Sequence, residues 1–266
     1  MLGRVRWIVL IIGCVGFLLV GCGGGDGGSP SASSASGGAA AGSDAGDAKQ
    51  ALLAALTKMD GLHTFQAEMT MPPMEVGAGA PAMTSTSHIE TSVDDDVVYQ
   101  VTQVSGGPIG TSRQETLIRG SEYLMRSDLY GQAFGGGPDT WYRAPDSGQG
   151  PTMLVSMYFA PAAQAIDTVS RQGTANVRGT EVTVYRAKLD PAKFRAALSA
   201  GSIPGGIPAD KLPAPATVDY GVGADGYVHS IALSITDPGS DTTIELHDFD
   251  TPLNLPNPTT IADMPR

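Results

Sequence analysis

Both cysteines of this 266-residue chain, Cys14 and Cys22, fall within its first 22 positions. Whatever folds beyond them does so without an internal disulfide, so its stability has to come from a sizeable apolar core. Roughly 220 residues remain for that purpose once the N-terminal segments are set aside, which suits one large domain better than two small ones.

The N-terminus reads as a targeting segment. Arg4 and Arg6 precede a mostly apolar run over 7–20, about the length of a signal-peptide h-region and short for a membrane span. Leu19-Val20-Gly21-Cys22 then resembles a bacterial lipobox, in which the thiol receives diacylglycerol and the chain is cut just before it. Acyl chains hold a protein to a bilayer by burying methylenes at roughly 0.8 kcal/mol each. An uncleaved anchor helix or a plain secretion signal would share the apolar run. The residues after Cys22 favour the lipoprotein reading. Gly23-Gly24-Gly25-Asp26-Gly27-Gly28-Ser29-Pro30 leads into a Ser/Ala/Gly tract that ends near Gly46, a composition too poor in apolar surface to fold and suited to a tether. The expected organisation is a lipoprotein signal peptide over 1–21, a flexible tether over 22–46 and one domain over 47–266. The mature protein is expected at the cell membrane, lipid-anchored through Cys22 on the extracytoplasmic face.

The formal charge is −11, and loss of Arg4 and Arg6 with the signal takes it to about −13. Such an acidic chain disfavours nucleic acid and anionic headgroups as non-specific partners.

Beyond the tether, the hydrophobic period predicts a helix over 47–59. Leu52, Leu56 and Met59 form its stripe, Asp47 is its cap and Gly61 its end. The period then drops to two: Phe65, Ala67, Met69 and Met71 alternate with polar residues over 64–71. Strand pairs are expected at 84–93 with 96–104 and at 114–118 with 122–126. A short strand is expected at 141–143. The apolar stretch 153–169 reads as mostly helical and broken by Pro161. A hairpin over 174–177 and 181–189 turns at Arg178-Gly179-Thr180. Asp190-Pro191 opens a helix over 192–199, and the proline-rich 201–215 reads as a loop. A meander over 216–222, 227–236 and 242–249 follows, with Ile231, Leu233 and Ile235 on one side. The tail from Pro252 is expected to be extended. This is an α+β plan with one broad antiparallel sheet.

Catalytic and metal motifs are lacking. His63, His88, His229 and His247 have no helical ligand spacing, although His229 and His247 fall on neighbouring expected strands. Asp94-Asp95-Asp96 lacks the alternating spacing of a calcium loop and reads as a solvated turn. Gly135-Gly136-Gly137 has no following Lys-Ser/Thr, and no serine lies in Gly-x-Ser-x-Gly. No cofactor is implied, and the chain reads as no enzyme. The less ordinary feature is adaptable apolar surface: Met69, Met71, Met74 and Met83 around the first strand, and Met153, Leu154, Val155, Met157, Tyr158 and Phe159 further on. These either fill the core under one sheet face or line a space for a greasy ligand.

Several segments in order resemble one family. They are the lipobox, the tether, the opening amphipathic helix and Gly61-Leu62-His63-Thr64-Phe65. They continue with the hairpin Asn176-Val177-Arg178-Gly179-Thr180-Glu181-Val182-Thr183-Val184-Tyr185, then Leu189-Asp190-Pro191, then the strand–turn–strand from Val218 to Val228. This order is similar to that of actinobacterial lipoproteins of the LppX/LprG type, relatives of the LolA and LolB lipoprotein carriers, over most of 47–250. A tryptophan that family members often carry near Tyr220 to Ala224 is absent. The resemblance implies a curved antiparallel sheet forming an incomplete barrel, with helices on its concave side and acyl chains held between them. It implies a lipid or glycolipid ligand and no catalytic residues. The expected lining, taken from the apolar sides of the expected strands, is Phe65, Met69, Val97, Tyr99, Val101, Ile231, Leu233 and Ile235.

The leading functional reading is an envelope lipoprotein that binds or carries a lipid or acylated ligand in an apolar cavity. The alternative is a membrane-anchored interaction or sensor module with a filled core, acting through an envelope protein partner. A hydrolase with a dispersed site is a third.

Overall fold

Side-chain alternation along β1 (Thr64–Met74) sets the architecture. Phe65, Ala67 and Met69 are buried, while Gln66, Glu68 and Thr70 point away from them, so one sheet face must be covered. The computed structural model describes residues 41–74, 82–106, 110–120, 122–144, 155, 158–200, 216–234 and 241–264. Cys22 and Ile235 lie outside the described residues. So do the expected signal, the tether up to residue 40, Met153, Leu154, Met157, the 201–215 loop and the 237–240 turn.

The chain begins with α1 (Ala41–Asp60), then β1, β2 (Met83–Ser92), β3 (Val97–Ser105), β4 (Ser112–Arg119) and β5 (Glu122–Ser127). After α2 (Asp128–Phe134) and β6 (Trp141–Arg143) come α3 (Ala160–Ala165), β7 (Ile166–Val177), β8 (Thr180–Leu189) and α4 (Pro191–Ala200). The meander β9 (Thr217–Gly223), β10 (Val228–Ser234) and β11 (Asp241–His247) precedes a short β12 (Ile261–Asp263). Among the described residues twelve strands form one sheet in the order β12-β6-β5-β4-β3-β2-β1-β11-β10-β9-β8-β7. The pairing is antiparallel except for β12 on β6. β12 and β7 end the sheet without meeting, so the expected α+β plan with an incomplete barrel is the one observed. No helix among the described residues is long and apolar enough to cross a membrane.

Local chemistry explains most boundaries. Asp190 Oδ1 accepts hydrogen bonds from the N–H groups of Ala192 (2.9 Å) and Lys193 (3.1 Å), capping α4 as expected. Arg178 and Gly179 both have positive φ, 50° and 89°, which gives the two-residue turn that suits the twist of the β7–β8 hairpin. Two expectations need correction. Within 153–169 the helix Ala160–Ala165 is not broken at Pro161, and the stretch turns to strand where β7 starts at Ile166. Pro161 sits in the first turn of α3, where its missing N–H costs nothing, and the β-branched Ile166, Thr168 and Val169 favour a strand. Asp47 also does not start the first helix, since α1 begins at Ala41, within the segment read as tether. The local pattern does not announce α2, which Ser127 Oγ caps through Leu129 and Tyr130 N–H and Gly135 ends at φ 79°.

Two apolar clusters flank the sheet. The larger joins Leu52, Leu56 and Met59 of α1, Ala162 and Ala165 of α3 with Tyr158 and Phe159 just before it, and Phe194 and Leu198 of α4 to β1 and β9–β11. The smaller joins Val97, Leu117, Leu124 and Trp141, with Tyr99 and Leu255 against it. Leu255 belongs to the C-terminal tail, which Arg119 holds by donating to the Pro256 carbonyl (2.6 Å). Phe194 is fully buried and stacks on Tyr158 at 6.2 Å between ring centroids. Phe194→Ala should therefore cost about 3–5 kcal/mol and Asp190→Ala about 1 kcal/mol, both measured as a shift of the urea unfolding midpoint at unchanged slope.

Candidate functional site

Sheet register sorts the expected lining residues onto opposite faces. Phe65 pairs with Thr91, which pairs with Val98, while Met69 pairs with Ser87, which pairs with Thr102. Directly paired residues of an antiparallel sheet share a face, so the Phe65–Met69 face meets β3 at Val98, Gln100 and Thr102. Val97, Tyr99 and Val101 lie on the other side. Ile231 pairs with Ile244, which pairs with Met69, so Ile231 and Leu233 join the inner face. The sequence list thus combines two surfaces, and Val97, Tyr99 and Val101 do not border the space between sheet and helices. Both sides of β3 carry valine, so its pattern alone did not say which side turns inward.

On the inner face Phe65, Met69, Ile231 and Leu233 are 4%, 2%, 0% and 1% exposed. Groups that water cannot reach border no open space in this conformation. Phe65 meets Phe159 edge-on at 6.1 Å. Tyr220, directly across from Ile231 in register, donates its hydroxyl to the Tyr158 carbonyl at 3.1 Å. Tyr158, Phe194 and Tyr220 are therefore central to this interior, though strand alternation did not single them out as lining. The contiguous 158–159 aromatic pair, beside helix signals and not within a strand, was the available cue.

On the outer face Tyr99 donates its hydroxyl to Glu115 Oε2 (2.7 Å), and Arg126 Nη2 donates to the same oxygen (2.7 Å). Arg113 lies 3.3 Å from the other carboxylate oxygen, and the Arg126 guanidinium sits 4.9 Å from the Trp141 ring centroid. Glu115 is buried, and this pairing is what a buried carboxylate requires. The arrangement is a structural clamp under the C-terminal tail.

Each histidine meets a carboxylate. His63 pairs with Asp94 (2.9 Å), His88 with Glu68 (2.7 Å), His229 with Asp225 (3.0 Å) and His247 with Asp248 (2.9 Å). The Asp94 hydrogen bond raises the His63 pKa above the ordinary imidazole range. His229 and His247 line the same small pocket of about 290 Å³ with Arg178, Leu246, Asp248 and Phe249. Among the described residues no group of three or more His, Cys, Asp or Glu side chains is placed to hold a metal.

Burial raises several phenols. Tyr99 and Tyr130 are pushed up to about 12, chiefly by desolvation, and Tyr158 and Tyr220 are raised as well. Unfolded phenols release their protons near pH 10, so between pH 10 and about 12 the native state holds protons that the unfolded chain has lost. Stability should therefore fall as pH rises through this window. The check is a set of urea midpoints at increasing pH, which should fall between pH 10 and about 12.

No family profile and no curated protein matches the chain in sequence. Solved structures do. LprF from Mycobacterium bovis superposes with a TM-score of 0.51 at 12% identity, covering 81% of this chain and 98% of LprF. The lipoprotein LppX from Mycobacterium tuberculosis gives 0.48 at 11% identity, covering 79% and 98%. A LolA superfamily protein from Nitrosomonas europaea gives 0.28 at 9% identity, covering 79% and 94%. At such identities a likeness speaks to fold, and the LprF superposition carries it. The open antiparallel sheet with helices on one face, together with this superposition, gives the chain the fold of LprF.

Proposed function

We propose that this chain is a cell-envelope lipoprotein that binds or carries a lipid or acylated ligand between its sheet and its helices, without catalysis. The observation that carries this reading is the inner apolar face of β1 and β9–β11, covered by helices from three separate stretches of chain. The fold shared with LprF and the lipobox at Leu19 to Cys22 support it. Anchoring through an acylated Cys22 would place the domain on the extracytoplasmic side of the membrane.

In the described conformation the protein's own side chains fill this layer, so a ligand enters by displacing some of them. The exchange is balanced in magnitude. Lifting Tyr158, Phe159, Phe194 and Leu198 from the sheet exposes four large side chains, about 1.5–3 kcal/mol each. An acyl chain of about 16 carbons gains roughly 13 kcal/mol on burial at about 0.8 kcal/mol per methylene. Opening of the α3 and α4 side is therefore within reach of one acyl chain, and a filled resting state protects the apolar face when no ligand is bound. The same full burial of Phe65, Met69, Ile231 and Leu233 favours a second reading, an anchored interaction module with a permanently filled core and an envelope protein as partner.

The two separate on purification of the full chain from membranes, followed by lipid extraction and mass spectrometry. Carriage predicts about one acyl lipid per protein, released on denaturation. A protein that brings no lipid and takes up no fluorescent fatty-acyl probe would be the filled module. Cys22→Ser should abolish metabolic labelling with palmitate and move the protein out of the membrane fraction; retention there would remove the anchor.

A further inference from the structure

The inner sheet face is not apolar throughout. Continuing the register of Phe65 and Met69 outward from β1 brings Ser85 and Ser87 of β2, Gln100 and Thr102 of β3, and Gln114 and Thr116 of β4 onto the same face. Ser85, Ser87, Gln100 and Thr116 are buried, Gln100 to 1% exposure. Gln100 Nε2 donates to Ser87 Oγ (3.1 Å) and Thr102 Oγ1 (3.0 Å), and the two hydroxyls bond each other at 2.9 Å. Gln100 Oε1 is buried and has no hydrogen-bond partner among the described residues. Turning the amide over does not remove the deficit, because the two hydroxyls serve one end and the other is left over. A buried amide lacking a partner is destabilising, and an apolar residue of similar size would fill the position without that penalty.

We propose that this strip receives the first polar group of an amphipathic lipid, a neutral hydroxyl or amide N–H donor close to its acyl chain, with the chain itself lying over β1, β10 and β11. The inference rests on the lipid-binding reading and deepens it by naming the ligand chemistry. None of the six strip residues ionises, and by register Glu68, Glu90 and Glu115 lie on the opposite face. The strip therefore selects hydroxyl and amide donors and offers no partner charge to an ionised headgroup.

The probes are 1-palmitoylglycerol, which carries two hydroxyls, and methyl palmitate, which has the same chain and ester but no donor. The purified full chain should bind the first about tenfold more tightly, the worth of one neutral hydrogen bond to a buried acceptor. Gln100→Leu should abolish that preference and bring the two affinities together, with thermal melting as the folding control. In the unaltered chain the Gln100 side-chain amide resonance should shift with 1-palmitoylglycerol and not with methyl palmitate, which tests the contact even where the variant fails to fold. Equal affinities in the wild type, or a preference that survives Gln100→Leu, would overturn the proposal while lipid binding stands. Failure to bind either probe would remove the lipid-binding reading and this proposal with it.

Discussion

Burial of one apolar layer between three helices and half of a sheet holds this molecule together. No cysteine follows Cys22, so no crosslink offsets the entropy of ordering the chain. The layer is built from sequence-distant pieces: Phe159 meets Phe65 across the interior, Tyr220 reaches the Tyr158 carbonyl, and Phe194 stacks on Tyr158. Remove the helices and β1, β10 and β11 present a continuous greasy face to water. The same contacts that stabilise the fold are thus those a hydrophobic ligand must replace, which couples stability to occupancy.

The two sheet faces solve different problems. The outer face over β3–β5 buries a charged group, and Glu115 is compensated there by Arg126, Arg113 and the Tyr99 hydroxyl. Leu255 and the chain leading to β12 pack over this region, so the tail completes a second small core. The inner face grades from apolar on β9–β11 and β1 to hydroxyl and amide groups on β2–β4. That gradient gives the interior an orientation along the sheet.

Much of this plan was readable from local pattern. The strict alternation in β1, the Asp190-Pro191 start of α4 and the Arg178-Gly179 turn are short-range chemistry and appear where expected. The reading failed where local signals conflict. Pro161 looks like a breaker until its place in the first turn of α3 is known, and α1 runs back to Ala41 through what composition marks as tether. Among the expected lining residues, Phe65, Met69, Ile231 and Leu233 share the inner face, whereas Val97, Tyr99 and Val101 do not.

Which residues alternate, where turns fall and the lack of an internal disulfide beyond Cys22 are legible in the chain alone, because they follow from backbone sterics and residue chemistry over a few positions. Which side of each strand faces the helices is set only by the folded arrangement. A strand's period of two marks its sides as different without ordering them. For β3, with valines on both, the choice came from pairing with β2 and through it with β1, a constraint carried by hydrogen-bond register between segments and absent from any one of them.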